Sequence, residues 1–291
     1  MAGVVQIAIF SNYFNMLSAY SACPTGLVLT PSQCRFEPEA AIMAELARLP
    51  IPIYQYLRKN QQRNTMQSMS SGKLALFDLD NTLLEGDSDH AWGEFLISKK
   101  LVDADTHRET NDYFYEQYKQ GKLDIHGYVA FTLEPVLHLD EKQRQQLHEE
   151  FMAHSVEHIV LAKGQALVRK HMSAGDFCII ITATNEFITT PIAELFGVNL
   201  LIATELQTID GRYNGKIEGT PCYQDGKVSK LKAWISNQEN RFDLAESVFY
   251  SDSINDLPLL QQVADPIAVD PDQRLREKAE SEGWKILTLR S

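Results

Sequence analysis

The sequence predicts an α/β protein: a parallel sheet covered on both faces, with a helical block inserted after its first strand. Short apolar runs and helical stretches alternate from Lys73 onward, the pattern of a parallel sheet. About a hundred residues of helical character separate the first two apolar runs. Acidic residues directly follow two of the runs, at the strand ends where open α/β sheets bind ligands.

The first run is Lys73–Leu79 (KLALFDL), short and apolar as a buried parallel strand should be. Phe177–Thr182 (FCIIIT) is the second, and Ser247–Tyr250, Pro266–Val269 and Lys285–Leu289 continue the series. Helices are predicted between them at Gly164–Ala174, Ile188–Phe196, Lys227–Asn237 and Gln273–Glu282. Thr208–Glu218 carries the turn dipeptides Asp210-Gly211 and Asn214-Gly215 and predicts a β-hairpin. The inserted block reads as helices over Ser88–Lys100, Thr106–Gln120, Ile125–Leu137 and Glu141–Ile159, with Asp140 as an N-cap. It is far too long for a βα loop. A helical cap at about 85–160, standing over the carboxyl edge of the sheet, is the expected arrangement.

The chain has 291 residues and a net charge of −12. That balance argues against a nucleic-acid or membrane-surface binder, whose partners are polyanionic, but not against a small phosphorylated metabolite. The four cysteines show no metal-finger or CxxC spacing, which fits free thiols in a reducing cytoplasm. Residues 1–34 carry no charged side chain, so no basic segment precedes the apolar run Val4–Phe10, as a secretory signal would require. Residues 60–72 are polar and read as a linker. Residues 1–69 are therefore expected to be a dispensable extension ahead of a body spanning 70–291.

Four elements could carry chemistry. Asp78-Leu79-Asp80-Asn81-Thr82 follows the first strand; in an extended segment Asp78 and Asp80 would face the same way, close enough to repel or share a proton unless a cation intervenes. One could attack phosphorus while the other handles the leaving group's proton; both could instead cap a turn. Thr182 ends the second run, where its hydroxyl, with the N–H groups of Ala183 and Thr184 at a following helix start, could bind phosphate. Lys227 opens a helix after Asp225-Gly226 and could offset the charge of a phosphoryl group, with Lys230 one turn later as a competitor. Ser251-Asp252-Ser253-Ile254-Asn255-Asp256 follows another strand; Asp252 could ligate a hard dication, with Asp256 behind it and Asn255 towards the substrate.

In order and context these elements resemble the haloacid-dehalogenase (HAD) superfamily of phosphatases: DLDNT at Asp78–Thr82, a hydrophobic run ending in Thr182, the helix-opening Lys227, and DSIND at Asp252–Asp256. The resemblance covers about residues 73–291. It implies a Rossmann-like core with a helical cap, and Mg²⁺ as cofactor. It further implies Asp78 as nucleophile, Asp80 as general acid/base lending its backbone carbonyl to the metal, Thr182 and Lys227 as phosphate-binding residues, and Asp252 as the third metal-binding position. The cap position looks like the phosphoserine-phosphatase-like branch (subfamily IB). Phosphoserine phosphatase itself has a Ser-Gly-Gly-Phe pattern where this chain has TATNEF (Thr182–Phe187), and Gly-Asp-Gly where it has Ser251-Asp252-Ser253. The segment LLEGDSDHAWGEFL (Leu83–Leu96) looks instead like a bacterial subgroup that includes histidinol-phosphate phosphatases, which implies a role in histidine biosynthesis.

The expected function is thus Mg²⁺-dependent hydrolysis of a small phosphomonoester through an aspartyl phosphate, with histidinol phosphate the best candidate and phosphoserine the alternative. A non-catalytic binding module on the same fold is the alternative of another class. Histidinol phosphate has an amine and an imidazole but no carboxylate, so its pocket should be acidic. Asp87 is the preferred contact, with Glu85 and Asp89 beside it and Glu116, Asp124 and Glu134 further along the cap.

Overall fold

A computed structural model describes residues 73–238 and 241–290. The expected extension, residues 1–69, lies outside them. Six strands form one sheet: β1 (Leu74–Phe77), β2 (Phe177–Asn185), β3 (Leu200–Thr204), β6 (Val248–Ser251), β7 (Asp265–Val269) and β8 (Lys285–Leu287). Their order across the sheet is β3-β2-β1-β6-β7-β8, and every neighbouring pair is parallel. A hairpin of β4 (Leu206–Ile209) and β5 (Arg212–Ile217) stands outside it.

Strand side chains alternate between two cores, as period-2 geometry requires. Ala75 and Phe77 of β1, with Cys178 and Ile180 of β2, pack on one face with the cap's Trp92, Phe95 and Phe151. Leu74 and Leu76, with Phe177, Ile179 and Ile181, pack on the other with Val228 and Leu231. β1 and the first part of β2 are buried on both faces, hence their near-continuous apolar sequences.

The inserted helices are α1 (Ser88–Ser98), α2 (Ala104–Lys119), α3 (Ile125–Leu133) and α4 (Glu141–Phe151); α4 continues through a π-helical turn, Met152–Val156, towards Ile159. Asp87, Asp103, Asp124 and Asp140 cap the four helices, and Asp140 with Gln143 forms a capping box. The chain enters and leaves the insertion side by side: the Glu85 N–H donates to Ile159 O at 2.6 Å and the Leu161 N–H to Leu83 O at 3.1 Å. α5 (Ala162–Ser173) follows, and Gly164 lets it approach closely, since a Cβ there would meet Leu83 O at 3.2 Å. α6 (Glu186–Phe196), α7 (Asp225–Ser236), α8 (Leu257–Leu260) and α9 (Gln273–Glu282) complete the structure.

Three elements differ from expectation. β2 runs on to Asn185, whose side chain caps α6, so the helix starts after Asn185 and not after Thr182. β3 was not expected; its sequence, LLIAT, is apolar but begins half-buried at the sheet edge. Asp210-Gly211 makes the hairpin turn, with both residues at positive φ, whereas Asn214-Gly215 lies within β5, opposite the register shift between Leu206 and Thr208.

Candidate active site

The strand order reverses between β1 and β6, which places a crevice at their carboxyl ends. Asp78 follows β1 and Asp252 follows β6, and the Asp78 N–H donates to Tyr250 O at 2.9 Å. Beyond Asp78 the chain turns at once: Asn81 takes a φ of 57°, and the N–H groups of Thr82, Leu83 and Leu84 all point at Leu79 O. The turn carries Thr82 back, so that its hydroxyl lies 3.0 Å from Asp78 Oδ2 and 3.3 Å from Asp252 Oδ1 while accepting from the Asp252 N–H at 3.0 Å. Thr82 thus ties the two strand ends together.

Asp78 and Asp80 are close enough for Asp80 to act on the Asp78 carboxyl, but they have different partners. Asp80 Oδ1 accepts from the Ser88 N–H at 2.6 Å and Oδ2 from the Thr184 hydroxyl at 2.8 Å. Asp78 faces Lys227, whose Nζ lies 2.7 Å from Asp78 Oδ1 and 2.8 Å from Asp256 Oδ2. Ser251 Oγ donates to the same Asp256 oxygen at 2.7 Å. Lys227 is only 3% exposed. Gly226 permits its placement, since a Cβ there would sit 2.0 Å from Pro221 O. Lys230 pairs instead with Glu205 at 3.1 Å.

Burial works against the Lys227 charge, but Asp256 and Asp78 more than offset it and leave the lysine more basic than usual. The carboxyls move the other way. Burial, with Asp78 and Asp256 beside it, pushes Asp252 well above the usual range. Burial pushes Asp256 up to about 6 despite Lys227. Asp78 is also raised, by burial first and Asp80 second, against the pull of Lys227.

A haloacid dehalogenase-like hydrolase family model matches residues 75–261, a span that contains all of these groups. The chain belongs to the haloacid dehalogenase-like hydrolase family. Within it, the chain lies in the phosphoserine-phosphatase-like branch. It is 43% identical over 219 residues to a histidinol-phosphatase of Neisseria meningitidis, which covers 75% of this chain and 99% of that one. It is 28% identical over 222 residues to a phosphoserine phosphatase of Mycobacterium tuberculosis, covering 74% and 70%. A crystal structure of a Bordetella pertussis protein of unknown function superposes with a TM-score of 0.70 at 42% identity, covering 76% of this chain and all of that one.

Members of this family generally use Mg²⁺. The donor set here fits a hard dication. Burial leads the upward shift of Asp78, Asp252 and Asp256, and a neighbouring carboxylate adds to each: Asp80 at Asp78, Asp78 and Asp256 at Asp252, and Asp78 at Asp256; a cation beside Lys227 would favour their ionised forms. Among the described residues no three His, Cys, Asp or Glu side chains make a complete ligand set. Mg²⁺ does not require one, because it takes one or two carboxylates and fills its shell with carbonyls, water and phosphate.

The remaining expected residues are distributed differently. Thr182 is buried at the end of the apolar run, and its Oγ1 accepts from the Thr184 N–H at 3.2 Å. Ala183 lies within β2, not at a helix start, and its carbonyl accepts from Thr204 Oγ1 at 2.7 Å. Asn255 donates to Tyr118 O at 3.1 Å and accepts from Gln224 Nε2 at 3.4 Å, which ties α2 to the core. Asp87 caps α1 by accepting from the His90 N–H at 2.9 Å, and Asp124 caps α3. Burial leads the upward shift of Asp87, and Asp78 adds to it.

Asp89, which the sequence placed beside Asp87, and two tyrosines that it did not single out complete the crevice. Asp89 is 6% exposed and accepts from the Thr184 hydroxyl or donates to it at 3.0 Å. The signal for it was its place in the acidic segment beside Asp87. Tyr118 had none: α2 lies far along the chain, yet its hydroxyl reaches Ser253 Oγ at 3.3 Å, where Asp252 and Asp78 add to burial in raising the phenol. Tyr128 of α3 is near enough to the acidic segment for Asp89 and Asp87 to add to burial in raising its phenol.

Proposed function

We propose that this chain is a Mg²⁺-dependent phosphomonoester hydrolase of the cytoplasm that acts on histidinol phosphate through a phosphorylated Asp78. The observation that carries the chemistry is the pair of contacts on Asp78, Lys227 at one oxygen and Thr82 at the other. They hold the carboxylate in one orientation at the strand end, and the buried ammonium favours its ionised form.

In this reading an Asp78 oxygen attacks phosphorus as the ester bond breaks, and Asp80, which burial raises to about 6 with Asp87 as the next cause, protonates the leaving oxygen. Asp80 then takes a proton from the water that releases phosphate from Asp78. Lys227 remains protonated throughout and offsets charge on the phosphoryl oxygens; the Thr182 hydroxyl is the other phosphate donor. Mg²⁺, held by Asp78, Asp252 and the Asp80 carbonyl, would supply further charge compensation between carboxylate and phosphate.

The substrate assignment draws on the Neisseria relative, matched along 99% of its length. It also draws on the acidic side of the crevice, where Asp87 lies close enough to Asp80 to act on its carboxyl. A carboxylate-bearing substrate such as phosphoserine would call for a cationic partner there. The mycobacterial relative keeps phosphoserine as the second reading. A panel of phosphorylated metabolites with released phosphate as readout tests both; no release from histidinol phosphate would end the first.

A further inference from the structure

Thr184 poses a proton-counting problem. Its hydroxyl carries one hydrogen and stands 2.8 Å from Asp80 Oδ2 and 3.0 Å from Asp89 Oδ2. One hydrogen cannot serve two acceptors at full strength. Either one carboxyl is a neutral acid that donates to Thr184, or one contact goes without a proton at a buried site, which is costly.

The surroundings choose between the carboxyls. Asp80 accepts from Ser88 N–H at its other oxygen, so both its oxygens have donors at hand. Among the described residues, Asp89 Oδ1 is buried with no hydrogen-bond partner. A charged carboxylate is poorly served there, whereas a neutral acid leaves only a carbonyl oxygen unpaired. Burial, and then Asp87 and Asp80, push Asp89 well above the usual carboxylate range, in the same direction.

We propose that Asp89 and Thr184 are positioning residues for Asp80: the Asp89 acid donates to the Thr184 hydroxyl, which donates to Asp80 Oδ2. The consequence is directional. With Thr184 already donating to Oδ2, Asp80 does not spend its own proton on Thr184, and that proton stays available to the leaving group. When Asp78 bonds to phosphorus and the ester bond breaks, the Asp80 proton passes to the departing alkoxide. Asp80 is left a carboxylate with Ser88 N–H and the Thr184 hydroxyl donating to it, which stabilises the product of the transfer. Nothing else changes protonation state in that step.

The inference rests on Asp80 as the general acid, and the test separates the two. The readout is leaving-group release in the first turnover, with the full chain and Mg²⁺, for histidinol phosphate and for p-nitrophenyl phosphate. The alkoxide needs a proton to leave; p-nitrophenolate does not. Asp80→Asn should slow the alkyl ester far more than the aryl ester. Thr184→Val, which keeps the shape and removes the hydroxyl, should slow the alkyl ester by about ten- to a hundredfold, a part of the roughly 10²–10⁴-fold that a positioned acid supplies, and the aryl ester much less. Thr184→Ser should restore most of that loss. Asp89→Leu should show the same leaving-group dependence, and Asp89→Asn, whose amide donates where the acid O–H did, should recover most of it. Equal losses on both esters in Thr184→Val, or Asp89→Asn as damaging as Asp89→Leu, would overturn the inference while Asp80→Asn still shows its dependence. If Asp80→Asn shows none, the acid assignment itself fails and the inference with it.

Discussion

Lys227 Nζ lies 2.7 Å from Asp78 Oδ1, and Asp256 holds the same ammonium from the other side. The pair joins residues from two distant elements, and each is buried. A buried ion pair broken on one side leaves an uncompensated charge.

Asp78→Asn is expected to remove nearly all turnover, because an amide cannot form the acyl phosphate. EDTA should abolish activity and Mg²⁺ should restore it. Steady-state phosphate release measures both; full activity in Asp78→Asn, or indifference to chelation, would rule out the mechanism.

Lys227→Ala should lower kcat by about two orders of magnitude or more, as loss of a preorganised charge commonly does. It should also destabilise the fold, since Asp78 and Asp256 lose their shared partner. Lys230→Ala should change little, because its partner Glu205 has a 60% exposed side chain and such pairs contribute at most about 1 kcal/mol. Kinetics and thermal melts on both variants check the ranking.

His148 of α4 packs against the Phe187 ring at 4.2 Å, and burial, helped by Arg144, lowers its pKa to about 4. The unfolded chain therefore binds a proton that the folded chain does not between the ordinary value of 6.5 and about 4. This contribution to stability is complete above pH 6.5 and is lost as pH falls towards 4, by about 1–3 kcal/mol. His148→Phe should flatten that part of the melting-temperature profile. The buried carboxyls, whose raised pKa values act in the opposite sense, are common to both proteins and cancel in the difference. An unchanged slope would count against a neutral buried His148.

Histidinol phosphate should exceed phosphoserine in kcat/KM by roughly two orders of magnitude, the scale of one desolvated charge contact. Side-by-side kinetics decide it; a preference for phosphoserine would favour the second substrate without touching the mechanism.

A chain starting at Met69 should fold and hydrolyse like the whole, because β1 begins only at Leu74 and the Neisseria relative is matched along 99% of its length by 219 residues. Solubility and activity of the shortened chain measure this. An insoluble product would assign residues 1–68 to the fold.

The sequence by itself determined the alternation of strands and helices, the long helical insertion and the order of the acidic motifs. These are local patterns: an apolar run such as FCIII or an aspartate ahead of a helix carries its signal within a few residues. It also singled out Lys227 but kept Lys230 beside it, since spacing along a helix does not say which lysine meets a carboxylate. Only the tertiary structure decided that, by closing α7 against Pro221 at Gly226 and setting Lys227 between Asp78 and Asp256. The same is true of Thr82 bridging Asp78 to Asp252, of Tyr118 reaching Ser253 from the cap, and of Thr184 between Asp80 and Asp89. Each is a contact between segments remote in sequence. Hydrogen-bond partners across such distances are set by strand order, register and burial, and burial then sets the charge each group can hold.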